Sequence, residues 1–270
     1  MSIAIDRGRT PGMNLAMARK AGLRVVQWLA SIALLVLLWE LLALTQNHLF
    51  VADPLTTVKQ VGSWLANGVA WQLTSVTLAE AACGFLVGSA VGILLALVVG
   101  LAPSIAGRVL EPGIVALYAA PKFVLVPILF VWIGNGFIPR VALVVVAVAP
   151  VIATYTLTGI RTVDTARARM MQGLGATRRQ MATKLLLPHT MGYIATGEVY
   201  VLPHAMFVAV GAEVLFGISG GLGGTIYTQG QLFNAKEVFA ALLIATVISA
   251  VLSWIVGLVG ARLNQSQGRR

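Results

Sequence analysis

Long apolar runs decide what this chain can fold into. Six of them, at residues 25–45, 73–100, 111–133, 138–158, 192–216 and 238–260, each reach the roughly 20 residues that a helix needs to cross a bilayer. In hydrocarbon every backbone amide must be paired inside the protein, so runs of this length predict helices rather than lone strands. One long polar interruption separates the fourth run from the fifth. Residues 159–188, GIRTVDTARARMMQGLGATRRQMATKLLLP, carry Arg161, Arg167, Arg169, Arg178, Arg179 and Lys184 against a single acid, Asp164. Six cations are too costly to bury in hydrocarbon, so this stretch is a water-facing loop between spans.

Composition excludes a soluble domain. Hydrophobic residues make up 58% of the chain and charged residues 10%, where soluble domains carry about 25% charged. The reading is one all-α membrane domain over 25–262, holding the loop at 161–188, with polar tails at 1–24 and 263–270. The first run is too long for a signal-peptide core and lacks a small-x-small cleavage site, so it is a retained span. Cys83 is the only cysteine; no intrachain disulfide can form, and its expected role is that of a small buried hydrophobe. The net charge of +10 would suggest nucleic acid in a soluble protein, but here the cations sit in loops and tails. With the N-terminus inside, 15 of the 19 Lys and Arg fall on the inner face. Lys59, Arg140 and Lys236 fall outside, and Lys122 lies within a span. The positive-inside rule then predicts cytoplasmic termini and a cytoplasmic basic loop.

Within that loop Met170, Leu174, Met181 and Leu185 recur at helical spacing. Gly173, Gly175 and Thr177 interrupt the pattern, predicting two short helices joined at a glycine turn. Such a segment either rests on anionic lipid head groups or docks a cytoplasmic partner. Elsewhere, Gly84, Gly88 and Gly92 are spaced four apart, which suits close helix packing. Asp53-Pro54 starts a short outer helix through Trp64. Pro112, Pro121 and Pro127 break the third span. Gly220-Gly221-Leu222-Gly223-Gly224 reads as a flexible outer loop.

Catalytic chemistry is not in evidence. None of the five lysines follows a glycine, so no G-K-[ST] phosphate loop exists. His48, His189 and His204 have no metal-ligand spacing. Neither a cofactor nor a metal nor a catalytic set is expected, and transport energy must come from a partner or an ion gradient. Glu40, Glu80, Glu198 and Glu213 lie in or near spans, where an acid must face protein or water. Glu80 and Glu198 either pair with Lys122, hold a proton or make structural polar contacts. Glu213 either lines a cavity or organises the glycine-rich loop.

Several stretches carry a resemblance. Gly175-Ala176 followed by Leu187-Pro188, Tyr118-Ala119-Ala120-Pro121-Lys122, Pro127 with Trp132-Ile133-Gly134-Asn135-Gly136, and Ala212-Glu213 are similar to the permeases of ABC importers. The resemblance covers about residues 54–262 and points to the nitrate/sulfonate/taurine branch. It implies a type I importer permease fold, two copies around one path, and a basic loop that forms a coupling helix on an ATPase subunit. The coupling residues would be Arg169, Met170, Met171, Gly175, Ala176, Leu187 and Pro188; Glu80, Lys122, Glu198 and Glu213 are candidates to line the path. A periplasmic or lipid-anchored solute-binding protein would deliver a small anion or a heterocyclic vitamin precursor. One position departs from the family: Arg169-Met170-Met171 stands where Glu-Ala-Ala is usual. The competing reading is a proton-coupled carrier that uses the intramembrane glutamates.

Overall fold

The computed structural model describes residues 11–47, 49–101, 104–217 and 220–267. Helices carry nearly all of them, and no strand occurs among the described residues. Five helices are long and apolar enough to span a membrane, and a bent pair makes a sixth.

Helix α1 (Pro11–Thr45) begins well before the expected span, although the stretch able to cross a membrane is Val26–Thr45. The polar segment expected as a tail is therefore helical from Pro11, and residues 1–10 lie outside the described ones. The C-terminal half of α1 is tied down by Trp39, whose Nε1 donates to the Ala52 carbonyl at 2.8 Å. Its ring stacks on Phe239 at 5.6 Å. Helix α2 (Pro54–Ala66) starts where the turn chemistry places it: the Asp53 carboxylate accepts from Thr56 N at 2.9 Å, and Pro54 opens the helix.

Helices α3 (Val69–Gly100), α6 (Phe137–Arg161) and α9 (Leu187–Phe216) form the centre of the bundle. Leu143, Val144, Val148 and Ile152 of α6 meet Val201, Ala205, Met206 and Ala209 of α9 in one buried cluster. The glycine series on α3 does what its spacing predicts. A Cβ on Gly88 would lie 2.7 Å from Val148 Cβ, and one on Gly92 would lie 2.9 Å from Ile152 Cβ and 3.1 Å from Ala153 N. Only hydrogen fits there, so α3 and α6 approach backbone to backbone. Outward faces of the same helices, with Leu86, Leu94 and Val98 of α3, are apolar and exposed, as lipid contact requires.

Gly92→Ala is accordingly expected to cost about 1–3 kcal/mol by overpacking. Gly62→Ala is the control, since its Cβ meets nothing within 4 Å; it should hold stability or raise it by up to about 1 kcal/mol. Thermal melting of the purified chain in detergent measures both, and equal melting points would remove the packing account.

The third span is bent. Helix α4 (Ser104–Ala119) stops before Pro121, a 3₁₀ turn covers Lys122–Leu125, and α5 (Val126–Ile133) leaves at 91°. Pro121 and Pro127 frame this break, while Pro112 is accommodated inside α4. Pro103 lies outside the described residues. The basic loop holds α7 (Thr165–Gly173) and α8 (Arg178–Met181), as the glycine interruption predicts. A π-helical turn, Ala182–Leu186, then joins α8 to α9, so helix is continuous from Arg178 to Phe216. The glycine-rich segment differs from its expectation. From Leu222 it is helix α10 (Leu222–Gln231), with Leu222, Gly223 and Gly224 buried. Helix α11 (Ala235–Gln267) closes the bundle.

Candidate functional site

Two regions hold the residues singled out by the sequence, one at each end of the bundle. At the loop end, α7 opens on Asp164, whose Oδ1 accepts from Ala166 N at 2.8 Å. It closes on Gly175, at φ +76°. Gly175 N donates to Gln172 O and Ala176 N to Met171 O, both at 3.0 Å. This paired pattern is a Schellman motif, which needs a left-handed residue at the position Gly175 fills. Thr177 follows at once with a capping box: its Oγ1 accepts from Gln180 N at 3.2 Å, and Gln180 Oε1 accepts from Thr177 N at 2.8 Å. With one cap running into the next, cap hydrogen bonds fix the angle between α7 and α8.

The apolar stripe of this loop divides in two. Of its four members Met181 is buried and Leu185 half-buried, with Leu186 buried beside them, whereas Met170 is 60% and Leu174 80% exposed. Arg169 and Gly175 are exposed beside them, Met171, Ala176 and Leu187 are half-buried, and Pro188 is exposed in the first turn of α9. A 590 Å³ cavity lies under the loop, bounded by Leu101, Ile160, Val163, Ala168 and Met181. Arg161, at the end of α6, forms an ion pair with Glu111 of α4. The pair Arg167–Asp164, at 3.8 Å and exposed, contributes at most about 1 kcal/mol.

At the other end the acids find partners that the sequence did not assign. Glu80 of α3 is fully buried and lies 2.9 Å from Arg140 Nη1. That approach lacks hydrogen-bond alignment, so the two meet as charges, and neither carboxylate oxygen has a hydrogen bond among the described residues. Arg140 is only 6% exposed and its Nε donates to Gly136 O at 2.8 Å. The cation count sets Arg140 on the outer face; at its end of the bundle the side chain is buried rather than exposed, because a guanidinium inside the first turn of an apolar helix must reach an acid. An arginine four residues after Gly136, already in an apolar run, was the available signal.

Glu213 of α9, also fully buried, organises the glycine-rich segment. Its Oε1 accepts from Thr77 Oγ1 at 2.8 Å and its Oε2 from Gly223 N at 2.6 Å, while Leu222 N donates to Thr77 Oγ1 at 2.9 Å. A carboxylate thus satisfies the free N–H groups that open α10 and complements its dipole. A Cβ on Gly221 would collide with this carboxylate, and one on Gly223 would sit 2.9 Å from Glu213 Cβ. Close approach, not looseness, is what the glycines provide.

Neither Glu80 nor Glu198 pairs with Lys122. Glu198 accepts from Ser89 Oγ at 2.9 Å. Lys122 donates to the Tyr118 carbonyl and lies 5.4 Å from the Tyr118 ring centroid. Among the described residues no group of three or more His, Cys, Asp or Glu could hold a metal.

Comparison with known proteins agrees with this architecture. The taurine transport system permease of Escherichia coli K12 is 24% identical over 247 residues, covering 89% of each chain. A formylaminopyrimidine transport permease of Halalkalibacterium halodurans is 27% identical, covering 80% of this chain and 85% of its own. The fold matches a bacterial ABC transporter involved in import of the acidic polysaccharide alginate, with a TM-score of 0.63 at 17% identity over 93% of this chain and 98% of that one. It is the fold of type I ABC-importer permeases. Residues 88–267 match the profile shared by inner-membrane components of binding-protein-dependent transport systems. The chain is a permease subunit of that family, in its nitrate/sulfonate/taurine branch.

Proposed function

We propose that the 161–188 loop is where an ATP-hydrolysing subunit drives this permease. The observation that carries this is the pair of exposed apolar side chains, Met170 of α7 and Leu174 at its C-cap, at a turn to α8 locked by consecutive caps. A rigid apolar tip in water is suited to a groove in a partner protein. In this reading two copies of the chain enclose one path, and a solute-binding protein delivers substrate from outside. ATP-driven closure of the two ATPase subunits brings the loops together. Because α9 continues unbroken from α8, movement of the loop passes into the span, and the bundle changes the side to which its path opens. The small solutes named for the relatives, taurine and formylaminopyrimidine, mark the size of cargo expected here.

The acids argue against proton coupling as the driving mechanism. Glu80, Glu198 and Glu213 each have a structural partner, in Arg140, Ser89 and Thr77 respectively. Co-purification decides the main reading: the tagged full chain is expected to retain an ATP-hydrolysing subunit, and Met170→Asp/Leu174→Asp to lose it. A double variant that keeps the subunit would remove the docking role.

Orientation follows from the cation count. A reporter fused after Ala176 is expected to read cytoplasmic and one after Gly221 external. With one long span, α9, between the two sites, both reporters on one side would refute this topology.

A further inference from the structure

We propose that the cavity among α4, α6 and α9 is a solute site for uncharged, planar, nitrogen-bearing heterocycles. This rests on the permease reading above and specifies what passes. Four of the chain's five tyrosines gather here. Tyr118, Tyr155 and Tyr193 line the cavity, and the Tyr200 ring lies 6.2 Å from that of Tyr155. Two glycines make room for the rings. A Cβ on Gly197 would lie 3.0 Å from Tyr155 Cγ, and one on Gly159 would lie 2.9 Å from Tyr193 Cδ2.

The cavity holds about 650 Å³, within the range of about 300–1,000 Å³ for small-molecule sites. It has no Asp, Glu, Lys, Arg or His in its lining. Its remaining polar walls are Thr154, Thr158 and Thr196, whose hydroxyls donate to Pro150 O, Thr154 O and Gly192 O at 2.8, 2.8 and 2.9 Å. Their protons are committed, so toward a solute they can act only as acceptors. The hydroxyls of Tyr155 and Tyr193 make no hydrogen bond among the described residues, leaving their O–H groups available as donors.

Ring faces, two free donors and three acceptors match a flat solute whose edge carries both N–H groups and ring nitrogens. A desolvated anion would meet no cation in the lining. A cation would meet no carboxylate in the lining. The site lies in the half of the bundle next to the basic loop, since Thr158 is within a turn of Arg161 and Tyr193 is in the second turn of α9.

Saturation-transfer NMR on the full chain in lipid nanodiscs, with whatever subunit co-purifies, tests this with cytosine, methanesulfonate and choline as probes. Saturation of cytosine alone is expected, falling at least fivefold in Tyr155→Phe/Tyr193→Phe and unchanged in Tyr227→Phe. Thr158→Val, which keeps shape and removes one acceptor, should weaken the signal as well and covers the case of a misfolded double variant. Preference for methanesulfonate or choline, silence from all three probes, or a cytosine signal unchanged in both site variants overturns the proposal. A chain that saturates cytosine yet retains no ATP-hydrolysing subunit would remove the coupling reading alone.

Discussion

Arg140→Leu is expected to lower the stability of the folded chain by about 3–5 kcal/mol, among the largest losses any single substitution here should cause. Glu80 would keep its position in a site with no exposure and lose the one cation that faces it. The ion pair itself has modest net value, because both charges were taken out of water to form it. Removing one partner is what costs, since it strands the other. Glu80→Met/Arg140→Leu should therefore recover most of the loss, and a four-way cycle of unfolding free energies in lipid nanodiscs measures the coupling. Two single substitutions that simply add would show that the charges do not depend on each other. Because Glu213 lies close by and holds the start of α10, the Arg140→Leu variant should also show faster proteolysis around residues 220–231.

Gly175→Val should abolish ATP-driven uptake, by at least tenfold, while the amount of protein in the membrane stays near normal. A Cβ at Gly175 would touch nothing within 4 Å, so crowding inside the chain is not the reason. The reason is φ, at +76°, where a β-branched residue is strained by about 1–3 kcal/mol. The loop can relieve that strain by abandoning the Schellman motif, and α7 and α8 then lose their fixed angle. Gly175→Asn separates this account from a need for empty space, since asparagine tolerates left-handed backbone and should keep most of the uptake. An asparagine variant as inactive as the valine variant would locate the requirement at the docking surface instead. The same assay bears on Arg169, which is exposed. A partner groove that accepts this cation should bind Arg169→Glu less well.

Much of the architecture was legible in the chain because membranes demand long, unambiguous signals. The apolar runs give the spans to within a few residues: α6 was expected at 138–158 and occupies Phe137–Arg161. Local chemistry was equally plain where it acts over four or five residues, as in Asp53-Pro54 opening α2 or the glycine turn that separates α7 from α8. Gly84, Gly88 and Gly92 announced a close contact by spacing alone.

Partners were a different matter. Sequence shows that a buried acid needs one, yet which one depends on elements brought together from far along the chain. Glu80 meets Arg140, and Glu198 meets Ser89. Glu213 reaches Thr77 across 136 positions of sequence. Glycines 220–224 look the same in sequence whether they give freedom or make room, and only the carboxylate beneath them decides for room. The four tyrosines, likewise, stand at 118, 155, 193 and 200 with no local pattern. The packing of α6 on α9 and of α4 on α6 puts Tyr118, Tyr155 and Tyr193 around one cavity, with Tyr200 beside Tyr155.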